Sequence, residues 1–248
     1  MTFQFNADSQ EQESLGRSPA DLGVFFSDTW QIYQKILLNN HMHHKELYAL
    51  VQSISHQQPH PFEMLDLGCG DASYTATALR NSPIQAYTGV DVSPVALEIA
   101  AHNLASLSIP IQLIEKSFIE FIDENQKNFD LILMSFALHH LDLTAKDQFL
   151  GKLLPRLNPG GTFILIDVFR QEGESLPAYY DRYIQQAHKS GWKLTPSEFI
   201  TISDHIISSD LPDSIATITM LIQSHGCQNI DCLFLSHDTT IGLLKINH

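Results

Sequence analysis

The sequence predicts an α/β domain in which a mostly parallel seven-stranded sheet carries helices on both faces and closes with an antiparallel C-terminal hairpin. Three observations predict it. Apolar runs alternate with helix-compatible segments between residues 62 and 168, the pattern of βα units whose strands lie parallel. The first run, Phe62–Leu67, drops into Gly68-Cys69-Gly70 and then into a helix-compatible segment, so a strand feeds a tight loop at a helix N-terminus. The chain ends in two further apolar runs, Asn229–Leu235 and Thr239–Ile246, separated by Ser236-His237-Asp238, as a hairpin requires.

Each element follows in order. Residues 1–23 are dominated by Asn, Asp, Ser, Gln and Glu and read as a flexible tail. Residues 24–58 form an N-terminal helical cap: Trp30, Tyr33, Ile36, Leu37, Leu47, Leu50 and Val51 recur at three-to-four spacing, predicting helix over 28–55. His56–Pro61 breaks that pattern. Strands are predicted at 62–67, 84–91, 111–115, 129–136 and 161–168, and helices at 72–81, 94–106, 118–123 and 144–156. Together these make a core over 62–168. Residues 169–228 are an insertion, mostly helical over 177–190 and 196–225, and 229–248 close the sheet. The whole chain, 1–248, reads as one domain.

Composition excludes several classes. The net charge is −14, and Lys and Arg are scattered singly, so nucleic acid is not an expected partner. No stretch of 18 apolar residues occurs and the N-terminus has no apolar signal core, which predicts a cytoplasmic chain with no membrane partner. Cys69, Cys227 and Cys232 fit neither an even disulfide framework nor a zinc ligand set and read as reduced thiols. His41, His43 and His44 lack a His-Glu-x-x-His pattern. They read as a solvated helix face, and no metal is expected.

The glycine loop points to a nucleotide-like ligand. Gly68 and Gly70 allow positive φ and close ligand approach. Asp91 ends the second apolar run, 21 residues after Gly70, where a carboxylate can accept from both ribose hydroxyls of an adenosine. The third glycine of a dinucleotide loop is replaced by Ser73, and Asp71 would repel a diphosphate. S-adenosylmethionine carries no phosphate and suits this loop better than NAD.

Four segments, Leu65-Asp66-Leu67-Gly68-Cys69-Gly70, Gly89-Val90-Asp91-Val92-Ser93, Phe129–Leu141 and Leu157-Asn158-Pro159-Gly160-Gly161-Thr162, resemble the class I S-adenosylmethionine-dependent methyltransferases in order and approximate spacing. The resemblance implies a Rossmann-like methyltransferase fold whose last strand runs opposite to the others. It implies S-adenosylmethionine as cofactor and says little about the methyl acceptor; the expected reaction is direct displacement onto a small-molecule acceptor with S-adenosylhomocysteine as product.

The cofactor is expected on Gly68, Cys69 and Gly70, with Asp91 and Val92 at the ribose and Ser135 and Phe136 beside the methionine arm. The resemblance places Asp66 near the amino acid end of the cofactor; the other reading is an acid that accepts the turn amides. Tyr74 either borders the methionine moiety or packs. Many relatives have an acid where Ser117 stands, so the adenine contact falls to the Ser117 hydroxyl, to Lys116, or to Phe118, whose other reading is core.

His139 and His140 are candidate general bases, with packing as the alternative. Trp30 and Tyr33 from the cap, and Tyr179 and Tyr183 from the aromatic insertion with Tyr180, His188 and Trp192, are expected to line the acceptor pocket. Met134-Ser135-Phe136-Ala137 lacks the Asn/Asp-Pro-Pro-Tyr/Phe motif of adenine-N6 and glutamine methyltransferases. Two other functions stay open: carboxy-S-adenosylmethionine synthase, which Ile202–Ile246 resembles in layout, and a cofactor-binding protein without turnover. The acceptor atom and the oligomeric state are not encoded in any motif found.

Overall fold

The computed structural model describes residues 30–247. The expected flexible tail and the start of the cap lie outside the described residues, as does the side chain of Trp30. The elements are α1 (Trp30–Leu38), α2 (His44–His56), β1 (Phe62–Leu67), α3 (Ser73–Ala78), β2 (Ile84–Asp91), α4 (Pro94–Leu104), β3 (Ile111–Glu115) and α5 (Phe118–Glu124). They continue with β4 (Phe129–Ser135), α6 (Leu143–Leu153), β5 (Leu157–Val168), α7 (Leu176–Lys189), α8 (Pro196–Ser209), α9 (Ile215–Ser224), β6 (Asn229–Leu235) and β7 (Ile241–Asn247).

The sheet order is β3-β2-β1-β4-β5-β7-β6. Only β7 runs against its neighbours, pairing antiparallel with both β5 and β6. Strand order reverses between β1 and β4, and in an open α/β sheet ligands bind outside the carboxyl ends of the strands at such a point. Register brings the needed residues there: Leu67 lies opposite Val90 on one side and Met134 on the other.

Two apolar layers explain the continuous apolar runs. Ile132, Met134, Phe163 and Leu165 pack on one face with Phe149 and Ile222. Their strand neighbours Leu131, Leu133, Ile164 and Ile166 pack on the other with Leu47, Val51 and Tyr179. A strand buried on both faces has no polar alternation to show.

The structure corrects several boundaries. The helix expected over 28–55 is two helices, because Asn40 and His43 take φ of 54° and 57°. The Asn40 side chain caps the break, accepting the Lys45 amide at 2.9 Å and donating to Glu46 at 2.8 Å. The helix expected over 196–225 also divides. Pro212 disfavours helical backbone before it, and the freed Leu211 amide donates to the His139 carbonyl at 2.7 Å. Strand β5 starts at Leu157 rather than 161, and β7 starts at Ile241 because Thr239 has φ 60° in the hairpin turn.

Candidate active site

A cavity of about 250 Å³ opens where β1, β2 and β4 end, and Gly68, Gly70, Asp91, Val92, Ser135 and Phe136 form its floor. Gly68 has φ +68°, and a Cβ there would meet Ala137 Cβ at 3.0 Å. Gly70 has φ +52° with open space where a side chain would stand. Strain forbids a side chain at the first position, while the second leaves room for a ligand. Asp91 spans the loop: one oxygen accepts the Gly70 amide at 2.8 Å, the other the Ser93 amide at 2.9 Å. Burial pushes its pKa up, against those amides. A half-buried strand-end carboxylate of this kind has acceptor capacity left for a polar ligand.

Tyr33, Lys116, Ser117, Phe118, His139, His140 and Tyr183 line the same cavity. Cys69 and Tyr74 line a small recess that shares Tyr33, Gly68, Gly70 and Ser135 with it. The Tyr74 hydroxyl also donates to the Leu37 carbonyl at 3.2 Å, fastening α1 over the loop. Asp66 and Tyr179 are on neither wall. Asp66 is 1% exposed and accepts the Tyr87 and Thr75 hydroxyls at 2.8 and 3.0 Å, not the turn amides. Burial lifts its pKa to about 7, against those two hydrogen bonds. Tyr179 is fully buried in the core.

Where adenine is expected, the Ser117 hydroxyl already has partners of its own. It caps α5, accepting the Glu120 amide at 3.2 Å and donating to Glu120 Oε2 at 3.0 Å. The Lys116 ammonium pairs with Glu124 at 2.6 Å, while its amide holds the Asp91 carbonyl at 3.0 Å. Phe118 does both things foreseen for it: it lines the cavity and meets Phe149 edge-on at 5.1 Å.

The lid comes from two directions. The α1–α2 turn meets the α7–α8 loop, where His41 stacks on Trp192 at 5.4 Å and Lys35 bonds Glu198 at 2.5 Å. His44 is not solvated as the sequence suggested. It is 2% exposed, lies against Tyr74 and Phe136, and burial lowers its pKa to about 4. An aromatic layer under the lid is what draws it in.

Residues 65–163 match the family model for a methyltransferase domain. That match, together with the similar proteins below, supports a class I methyltransferase domain over those residues. This family uses S-adenosylmethionine. Similar chains include a carboxy-S-adenosyl-L-methionine synthase of Hamiltonella defensa, 24% identical over 71% of this chain and 69% of that protein. A ribosomal protein L11 methyltransferase of Brucella suis is 27% identical over 55% of this chain. This chain spans about half of that protein's length, 48%. Among solved structures, the plantazolicin methyltransferase BpumL, with S-adenosylhomocysteine and a desmethyl substrate analog, has a TM-score of 0.64 at 15% identity. That likeness covers 93% of this chain and 95% of BpumL and shows the shared fold.

At the end of the cavity away from the glycine loop, His139 and His140 meet carboxylates that the sequence reading did not single out. His139 Nδ1 lies 2.5 Å from Asp167 Oδ1, and its amide donates to Asp167 Oδ2 at 3.0 Å. Asp210 Oδ1 stands 3.5 Å from His139 Nε2. Burial alone would lower the His139 pKa, but Asp167 and Asp210 outweigh it and raise it to about 10. Burial and the neighbouring His139 lower His140 to about 3. A charged His139 has no lone pair for a proton, and His140 is a weak acceptor.

Asp167, Asp210 and His205 were the residues missed. Asp167 was detectable, since a lone carboxylate in the apolar run Phe163–Val168 needs a partner. Asp210 and His205 were hidden by reading one helix through Pro212.

Proposed function

We propose that this protein transfers a methyl group from S-adenosylmethionine to a small, largely apolar acceptor. One observation carries the reading: a single covered cavity runs from the Gly68–Gly70 loop and Asp91 to Tyr183, Trp192, Ile202 and Ile206. A lid closed by the His41–Trp192 stack admits a small molecule more readily than a protein surface. The cofactor supplies an electrophilic methyl on a sulfonium. Gly68 and Gly70 admit its backbone-hugging edge, Asp91 accepts its ribose hydroxyls, and Ser135 and Phe136 run beside its methionine arm. Tyr33 covers this region from the cap. Tyr183 and Trp192 pack the acceptor body, and the lid keeps water from the sulfonium.

Alignment is the main source of rate in this account. Holding acceptor and methyl in line is worth about 7–11 kcal/mol, and neither His139 nor His140 is poised to take a proton. The site also disfavours carboxylated cofactor. Lys116 is the only Lys or Arg among the described cavity-lining residues, and its ammonium is already paired with Glu124. Release of S-adenosylhomocysteine tests the proposal. It should follow addition of a small-molecule fraction and not of ribosomal protein L11. Release with L11 alone would refute the small-acceptor reading.

A further inference from the structure

At the acceptor end, His139, His140 and Asp210 each offer a ligand atom, and these atoms lie within 4.8 Å of one another. Asp210 is 4% exposed, and its Oδ1 is buried without accepting a hydrogen bond. It faces imidazole nitrogens of His139, His140 and His205 at 3.5, 3.8 and 4.0 Å. Those separations are at or beyond the outer limit of a hydrogen bond. They suit ligands around one ion: donors about 2.0–2.2 Å from a metal sit roughly 3–4 Å from each other. Contraction by up to about 0.8 Å would bring the widest pair into range.

The surroundings are those of a metal ligand. Asp167 takes His139 Nδ1 at 2.5 Å, which directs Nε2 toward Asp210, as outer carboxylates do for metal-bound imidazoles. An ion binding there would displace the proton Nε2 carries in the charged ring. His140 Nδ1 faces the Ser209 carbonyl at 3.1 Å, so the ring is oriented through Nδ1 and Nε2 is the ligand nitrogen of the proposal. Two imidazoles and one carboxylate suit borderline transition metals rather than magnesium or calcium.

We propose that His139, His140 and Asp210 bind one divalent transition-metal ion at the acceptor end of the cavity, leaving coordination positions for a small acceptor with oxygen or nitrogen donors. The acceptor class rests on the methyl-transfer reading; the metal site does not.

The test uses the full chain, stripped with chelator and titrated with cobalt(II) alone, without cofactor or acceptor. One cobalt per chain should bind with visible d–d absorption and be displaced by zinc. Asp210→Asn, which conserves shape, and His140→Ala should each weaken binding by about 100-fold or more, since orienting residues alone account for about 10–100-fold. His225→Ala, on a separate pair with Asp147 at 2.8 Å, should bind as wild type does, and circular dichroism checks each fold. Absence of a stoichiometric cobalt band overturns the proposal, as does wild-type binding by both cavity variants. Cobalt binding without methyl transfer would leave the metal site standing and remove the proposed function. Methyl transfer without cobalt binding would do the reverse.

Discussion

Asp91 and Gly70 are joined by a 2.8 Å hydrogen bond from the loop amide to the strand-end carboxylate. The residue proposed to hold the ribose therefore also sets the shape of the loop proposed to receive the cofactor. Asp91→Asn replaces one acceptor oxygen with a donor, which must face either the Gly70 or Ser93 amide. Calorimetry should show S-adenosylhomocysteine affinity lower by about tenfold or more, since one charged hydrogen bond is worth about 1.5–3 kcal/mol. Unchanged affinity in a folded variant would remove Asp91 from the site.

Asp66 gives a pH prediction. Its folded pKa, raised to about 7 by burial, lies above the unfolded value of about 3.9. Ionisation is therefore easier in the unfolded chain, and stability from this group falls as pH rises from about 4 to 7. Asp66→Asn, which keeps the Tyr87 and Thr75 contacts possible, should raise the melting temperature at pH 8. The gain should shrink toward pH 4. A variant less stable than wild type at pH 8 would contradict the assignment.

Ser117 separates structural from ligand roles. Ser117→Ala should cost about 1 kcal/mol of stability through the lost helix cap, measured by denaturant unfolding. Its S-adenosylhomocysteine affinity should stay within about twofold of wild type. A large loss of affinity at unchanged stability would return the hydroxyl to the adenine contact.

Tyr33 tests the cap. It lines both the main cavity and the recess beside the glycine loop, so Tyr33→Ala should weaken S-adenosylhomocysteine binding by about fivefold or more, as removal of a half-buried aromatic contact implies. Equal affinity would make α1 a covering of the fold rather than part of the site.

What could be read in advance follows from which interactions are local. Phe62–Leu67 running into Gly68 and Gly70, and Asp91 closing its strand, are sequence-adjacent patterns with strong backbone consequences, so the fold and the glycine loop's backbone shape were legible. The break at Asn40 was not, because Ile36, Leu37, Leu47 and Val51 are buried on both sides of it and keep a helical period across the turn. Tyr179 and Tyr183 are four apart on one helix, yet only Tyr183 reaches the cavity. Rotation of α7 against the sheet decides that, and no local pattern encodes it. The His139–Asp167–Asp210 cluster joins residues 28 and 71 positions from His139, and only tertiary packing makes it.

The fate of the cofactor methyl group is the most direct test of the account. The protein is incubated with S-adenosylmethionine labelled in that methyl, together with a small-molecule extract, and the products are resolved by mass spectrometry. The account predicts a labelled small molecule and S-adenosylhomocysteine in equal amounts. A carboxylated cofactor, label confined to protein, or tight binding with no S-adenosylhomocysteine formed with any fraction would contradict it.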